Sequence, residues 1–403
     1  MGASYKRGYT MRDFATKTYG RNEDVQAIYA MFDIGHDVSM PGPRRLGKTF
    51  VLDRLVDAAA DHGWIAIKVE VAGCSDTRSF FREMCNTIES RLSGGRKAID
   101  RLRQRLGQVV DPRAETPGPW YGPLVSLDHE TYFERLIKTM NDDTERRWVL
   151  LIDELPIFLK ALHDKGPQGV EAARNFMTLT SRLRDKHRRV RWMITGSIGL
   201  APLAQSGNYT GVLAKLRNYE LLPLSEAQAV DFVKDLATTG RLMHRRTITE
   251  VEARTVVNAV GWRAAYYLEA LAQKLSGDLC EDAVLAERLV EAAMTRLLQP
   301  TESPTFGVWE EHLRKHYRDS DRTIAFTVLA ALAPYPQGRS VDALLADIGQ
   351  PDLAKNALRA LLMRLHAEGF ITGADWESDD PTVAFRNLLL RRWWQRYQPQ
   401  AAA

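Results

Sequence analysis

The sequence predicts an α/β fold built on a parallel sheet, followed by a purely helical stretch and a C-terminal winged helix. Three observations carry that expectation. The run at 147–154 is continuously apolar up to two carboxylates, as in a buried strand of a parallel sheet, and 64–71 and 190–197 are dense in β-type residues. From Ser225 to Leu298 such runs cease and only helical spacing persists. After residue 321 the chain gives three helices and then two short strands, the winged-helix order.

Residues 1–18 mix Lys6, Arg7, Arg12 and Lys17 with aromatic side chains and hold no continuous apolar segment, so they read as a flexible arm and not as a secretory signal. No apolar run approaches the roughly 20 residues needed to cross a bilayer, which argues against a membrane. Three cysteines, Cys74, Cys85 and Cys280, form neither a CxxC pair nor a disulfide framework and suit a reducing cytoplasm. With 403 residues, 45% of them hydrophobic, the chain is long enough for two or three domains. Its net charge of +4 permits a nucleic-acid partner without requiring one.

Asp24–Phe32 places Val25, Ile28, Tyr29 and Phe32 at helical spacing, for a helix that either walls an adenine pocket or simply packs. Asp37–Met40 reads as a short strand. Behind it Gly42-Pro43-Arg44-Arg45-Leu46-Gly47-Lys48-Thr49 is a full match to G-x-x-x-x-G-K-[ST], the loop whose backbone N–H groups turn inward around phosphates. Lys48 is expected to reach the β/γ-phosphates and the Thr49 hydroxyl to hold Mg²⁺, with Phe50 opening a helix whose N-terminus faces the phosphates. Residues 64–71 make the second strand and Thr77–Leu92 an amphipathic helix, while Ser93–Pro123 turns basic and then Pro/Gly-rich, as an insertion or long connection.

Arg147–Glu154 ends an apolar run in two carboxylates, delivered by a buried strand to the sheet edge where ligands of open α/β sheets bind. Asp153 is expected in the Mg²⁺ shell, and Glu154 is expected to polarise the attacking water. Val190–Ser197 repeats the design, with Thr195 or Ser197 set towards the γ-phosphate or the water, or merely closing a turn. Glu220-Leu221-Leu222 is the candidate last strand, and Ser225 the N-cap of the helix that follows. Breaks near Gly240, Gly261 and Gly277 divide the helical stretch. Arg263, at the start of helix Ala264–Leu275, is a candidate phosphate sensor because a guanidinium binds phosphate bidentately.

Gln299–Pro304 reads as a linker. Helices are expected over Arg322–Ala333, Ser340–Asp347 and Asp352–Glu368, strands over Gly369–Thr372 and Thr382–Phe385, and a final helix over Leu388–Arg396. From Arg322 onward nine basic residues meet eight acidic ones, and the wing tip carries Asp375, Glu377, Asp379 and Asp380, which phosphates repel. Protein packing or weak DNA contact is therefore favoured over sequence reading. Arg359 and Arg364 remain candidate phosphate or base contacts, and Arg391-Arg392-Trp393-Trp394 is either an interaction surface or part of the core.

These motifs together resemble the archaeal-type ATPase family within the STAND and AAA-like P-loop NTPases. The resemblance rests on Gly20-Arg21-Asn22-Glu23 in the place of a G-R-x-x-E entry, the double-arginine loop Gly42–Thr49, the acidic strand Leu150–Glu154, Ile194-Thr195-Gly196-Ser197, Leu222-Pro223-Leu224-Ser225, and Leu365–Ile371 of the winged helix. It departs at Gly261-Trp262-Arg263, where the family has a glycine followed closely by a proline and this chain looks more like a sensor arginine of origin-recognition-type proteins. The resemblance implies a P-loop core at 19–222, a helical lid at 223–300 and a winged-helix domain at 301–403. It also implies ATP and Mg²⁺ as ligands, Gly20 and Arg21 near the nucleotide, and a protein partner or self-association. DNA is the less supported partner. An arginine finger, Arg217 or one from another subunit, is not assigned by any motif.

Overall fold

The computed structural model describes residues 21–92, 129–239, 247–275, 279, 281–349 and 353–401. Ser93–Pro123, Gly240 and Gly277 fall outside them. The chain separates into two compact units. Of the described residues, one unit holds those of Val25–Pro43 and Lys48–Leu221; the other takes those from Leu222 onward together with Arg44–Gly47 and residues 21–24.

The first unit is organised on a five-stranded parallel sheet. Its strands are β1 (Asp37–Pro41), β2 (Ile65–Glu70), β3 (Trp148–Asp153), β4 (Val190–Gly196) and β5 (Leu216–Asn218), in the spatial order β2-β3-β4-β1-β5. The strand after the phosphate loop's own strand in space is therefore β4, and the acidic strand β3 lies one further out. Every residue of β3 is buried, which is why its sequence is apolar without alternation. An aromatic cluster of Phe80, Phe81, Phe133, Phe158, Phe176 and Trp192 packs beside the sheet in edge-to-face, tilted and stacked pairs. At the far end of β1, Asp37 accepts from the Trp192 backbone at 2.9 Å; burial pushes its carboxyl up, against the pull of Arg184 and Arg191.

The last strand is Leu216–Asn218 and not Glu220–Leu222 as expected. Residues 216–218 pair with Asp37–Ser39 and the Tyr219 N–H still donates to the Ser39 carbonyl at 2.8 Å, whereas 220–222 is irregular, because Pro41, further along β1, has no N–H to carry the ladder on. Helix 77–92 has the predicted bounds, and the first helix runs from Arg21 to Asp33.

In the second unit, helix Glu226–Thr238 begins with a capping box between Ser225 and Gln228, and helix Glu250–Val260 with one between Thr249 and Glu252. Helices Ala265–Ala272 and Ala283–Leu297 follow. Gln299–Pro304 is no linker. A 3₁₀ turn at Pro300–Glu302 leads straight into helix Ser303–His316, with Pro304 in the first turn where its missing N–H costs nothing. That helix buries Phe306, Trp309 and Leu313, and the Trp309 indole donates to the Tyr267 hydroxyl.

The C-terminal part has the winged-helix arrangement: helices Asp319–Leu332, Val341–Ile348 and Lys355–Ala367, then β7 (Ile371–Ala374) and β8 (Thr382–Phe385) as an antiparallel wing. A two-residue strand β6 (Arg339–Ser340), not foreseen, pairs with β8. Trp393 and Trp394 on the final helix Leu388–Tyr397 are buried, Arg391 donates to the Ala333 carbonyl at 2.7 Å, and Arg392 pairs with Glu291. The two tryptophans thus finish the core, while both arginines remain partly exposed. The carboxyl of Glu368, driven up by burial, is brought below the ordinary carboxylate range by bonds from His312 at 2.8 Å and Tyr317 at 2.8 Å and by the charge of Arg364.

Candidate nucleotide site

Sheet register decides which residues meet. Met40 stands opposite Thr195 and Ile152 opposite Ile194, so the ends of β1, β3 and β4 reach one level on the carboxyl edge. There Asp153, 3% exposed, accepts a hydrogen bond on Oδ2 from Thr49 Oγ1 at 3.0 Å and on Oδ1 from Thr195 Oγ1. The phosphate loop, the acidic strand and the T-G-S strand end are therefore joined at one carboxylate. Thr195, 1% exposed, spends its hydroxyl on that carboxylate.

Lys48 is 6% exposed and donates to the carbonyls of Gly42 at 2.6 Å and Pro43 at 2.8 Å, which lays its ammonium back across its own loop. The bend needs left-handed backbone. Gly47 has φ +102 with nothing near its missing Cβ, so the backbone itself, not crowding, demands glycine. Arg45 takes the same region with φ 67. Gly196 answers to a different constraint: a Cβ there would lie 2.4 Å from Pro156 Cγ, so only glycine lets the helix after β3 close on β4.

Glu154 also occupies left-handed space, φ 60 and ψ 36, at a cost of about 1–2 kcal/mol for a non-glycine residue. The conformation aims its carboxylate sideways at β4. Its Oε2 accepts from the Ser197 backbone N–H at 2.8 Å and from Ser197 Oγ at 2.9 Å.

The second unit holds the other predicted residues. Arg21, 8% exposed, donates to Asp24 at 2.8 Å, to the Leu222 carbonyl at 3.0 Å and to the Leu46 carbonyl at 3.3 Å. The Arg45 guanidinium lies 3.9 Å over the Tyr266 ring. Arg263 donates from Nε to the Leu224 carbonyl at 2.8 Å, and the Leu224 N–H returns a bond to the Arg263 carbonyl at 3.0 Å. Glu311 is held below the usual carboxylate range by a hydrogen bond from Lys315, with the charge of Arg44 a smaller contribution.

The predicted set thus falls into two groups. Lys48, Thr49, Asp153, Glu154 and Thr195 lie in the sheet unit, with Phe50 half-buried in the first turn after the loop. Arg21, Arg44, Arg45, Leu46 and Arg263 lie in the other. Gly20 falls outside the described residues, and Arg217 is exposed on β5. Two contacts were beyond sequence reasoning: Ser197 as the holder of Glu154, where only its place after Thr195-Gly196 gave a hint, and Tyr266 as the seat of Arg45, which no local pattern marks. Among the described residues no group of His, Cys, Asp and Glu suits a metal by protein ligands alone, and no helix is long and apolar enough to cross a membrane.

No protein-family model and no curated protein matches the chain. Among solved structures it is similar to a Walker-type ATPase of Pyrococcus abyssi, at 15% identity and a TM-score of 0.62 over 97% of this chain and 98% of that one. It is also similar to the ORC2 protein of Aeropyrum pernix in its ADPNP–ADP complexes, at 12% identity and a TM-score of 0.51 over 92% and 90%. The chain shares its fold with these two proteins: a parallel five-stranded sheet followed by helices and a winged-helix C-terminus.

Proposed function

We propose that the protein is an ATP-binding, ATP-hydrolysing switch of the AAA/STAND type that couples its nucleotide state to rearrangement of the winged helix and to binding of a protein partner. The observation that carries this reading is the convergence of Thr49 and Thr195 on the carboxylate of Asp153 beside a left-handed glycine loop. Support comes from the fold shared with the Pyrococcus abyssi ATPase. The reading divides the chain into an arm (1–18), an ATPase core (19–222), a lid (223–300) and a winged-helix domain (301–403).

The donors fit the ligands. A hydroxyl and a carboxylate oxygen 3.0 Å apart are hard oxygen ligands of the kind Mg²⁺ takes alongside phosphates, and Thr49 and Asp153 would hold the ion. When bound, Mg²⁺ neutralises charge on the phosphates. Lys48 supplies a buried cation at the loop, the N–H groups of Arg44–Phe50 cradle phosphate oxygens, and Thr195 fixes the orientation of Asp153. Glu154 accepts the proton of the attacking water, and Arg263 senses the γ-phosphate. Titrating ATP with and without Mg²⁺ tests the set: Thr49→Ala is expected to abolish most of the Mg²⁺ enhancement while leaving Mg²⁺-free binding within about twofold, a loss comparable to one charge-assisted contact. Equal Mg²⁺ enhancement in both proteins contradicts the assignment.

A DNA-directed ATPase is the second reading, favoured by the winged-helix order alone. The cations of helix Lys355–Ala367 speak against it. Lys355 pairs with Asp342 at 2.6 Å, Arg359 donates to the carbonyls of Trp376 at 2.8 Å and Asp379 at 3.2 Å, and Arg364 to Glu368 at 3.1 Å and the His316 carbonyl at 2.7 Å. Duplex binding measured by anisotropy is expected to be weak and to change little with DNA sequence; tight, steeply salt-dependent binding that stimulates hydrolysis would reverse the order of the two readings.

A further inference from the structure

Arg44, Arg45 and Leu46, three consecutive residues of the loop, each interact with residues of the unit that holds them, outside the sheet unit. Arg44 adds its charge to the field at Glu311 on helix Ser303–His316, Arg45 stacks 3.9 Å over Tyr266 on helix Ala265–Ala272, and the carbonyl of Leu46 accepts from Arg21 at 3.3 Å. Arg45 reaches its ring from a left-handed backbone, φ 67, which a non-glycine residue adopts only when surroundings enforce it. The same helix is anchored behind the ring: Tyr266 meets Tyr267 edge-on at 5.1 Å, and the buried Tyr267 is bonded to Trp309.

We infer that Arg45 is not a phosphate ligand but a relay arm, and that Tyr266 is its positioning partner, so that a change of loop shape on nucleotide binding moves the start of helix Ala265–Ala272 through the stacked pair. The inference rests on the proposed nucleotide site and adds to it a named path from loop to lid. Chemically the pair suits the task. A cation over an aromatic face tolerates sliding and small rotation, whereas a fork-like ion pair does not, so it transmits displacement without locking the loop. The two side chains also differ in what they can lose: a phenyl ring at 266 keeps the π face, while an aliphatic side chain keeps bulk alone.

The test is hydrogen exchange on the full chain, followed in peptides covering 261–275, with and without a slowly hydrolysed ATP analogue and Mg²⁺, alongside titration of the analogue. The unaltered protein and Tyr266→Phe are expected to show nucleotide-dependent protection of that helix. Tyr266→Leu and Arg45→Ala are expected to lose the dependence while still binding the analogue, weakened by about threefold to thirtyfold, the range of one cation–π contact. The double variant is expected to be no worse than the weaker single one, because both changes cut one interaction. Retained protection in Tyr266→Leu, or its loss in Tyr266→Phe, overturns the relay while leaving the nucleotide site standing. An unaltered chain that fails to bind the analogue removes both.

Discussion

Replacing Lys48 with alanine is expected to weaken ATP binding by about thirtyfold or more, the equivalent of roughly 2 kcal/mol for a charge-assisted contact made out of bulk water. Lys48 is 6% exposed and its ammonium is bound to the carbonyls of Gly42 and Pro43, so its place at the loop is set in advance by the protein. A buried cation held by carbonyl dipoles has already lost its hydration, and a polyphosphate can approach it without stripping water at the moment of binding. Alanine also removes the two bonds that fold the side chain across the loop, so a loss of stability could mimic a loss of binding. Lys48→Met separates the two effects: it restores most of the bulk and none of the charge. Calorimetry should give both variants the same weakened affinity, with thermal unfolding of the methionine variant closer to that of the unaltered chain. Unchanged affinity in either variant contradicts the role given to Lys48.

The sheet and its edge were legible because each rests on local rules. A strand buried on both faces writes an uninterrupted apolar run, as β3 does, while β2 and β4 are dense in β-type residues despite a charge or two, so all three were found with their bounds nearly intact. The phosphate loop is a backbone bend that only particular residues can make, and the capping serine at 225 answers orphan N–H groups within one turn. What escaped detection lacks such a signature. β5 is three residues on the sheet edge, with two of them exposed, and its identity comes from β1 and not from its own side chains. Helix Ser303–His316 hid behind Gln299–Pro304, read as a linker although Pro304 is harmless in a first turn; Phe306, Trp309 and Leu313 held the helical spacing that would have revealed it. At the site the residue types were readable but their partners were not. Thr49 and Asp153 stand 104 positions apart, and Glu154 and Ser197 43 apart, so only the strand order brings them together.

Glu154→Gln is expected to leave ATP affinity within about twofold and to reduce turnover by roughly 10²–10⁴-fold, the contribution of a positioned proton acceptor. The substitution is close to a pure change of charge. Glutamine has the same length, and its carbonyl oxygen can still accept from the backbone N–H and hydroxyl of Ser197, now at 2.8 and 2.9 Å from Oε2. The left-handed backbone at 154 is therefore under the same constraint in both proteins, and no strain is released to change the fold. What disappears is the ability to take a proton. Because this carboxylate is held by Ser197 while Asp153 is held by Thr49 and Thr195, binding and hydrolysis should separate cleanly at this residue, as they should not at Lys48. Single-turnover phosphate release, compared with equilibrium binding of the same nucleotide, makes the distinction. A glutamine variant that hydrolyses ATP at the unaltered rate would show that Glu154 is not the base, and would leave an ATP-binding switch whose catalysis comes from elsewhere; one that loses binding in parallel with turnover would instead place Glu154 among the groups that hold the nucleotide.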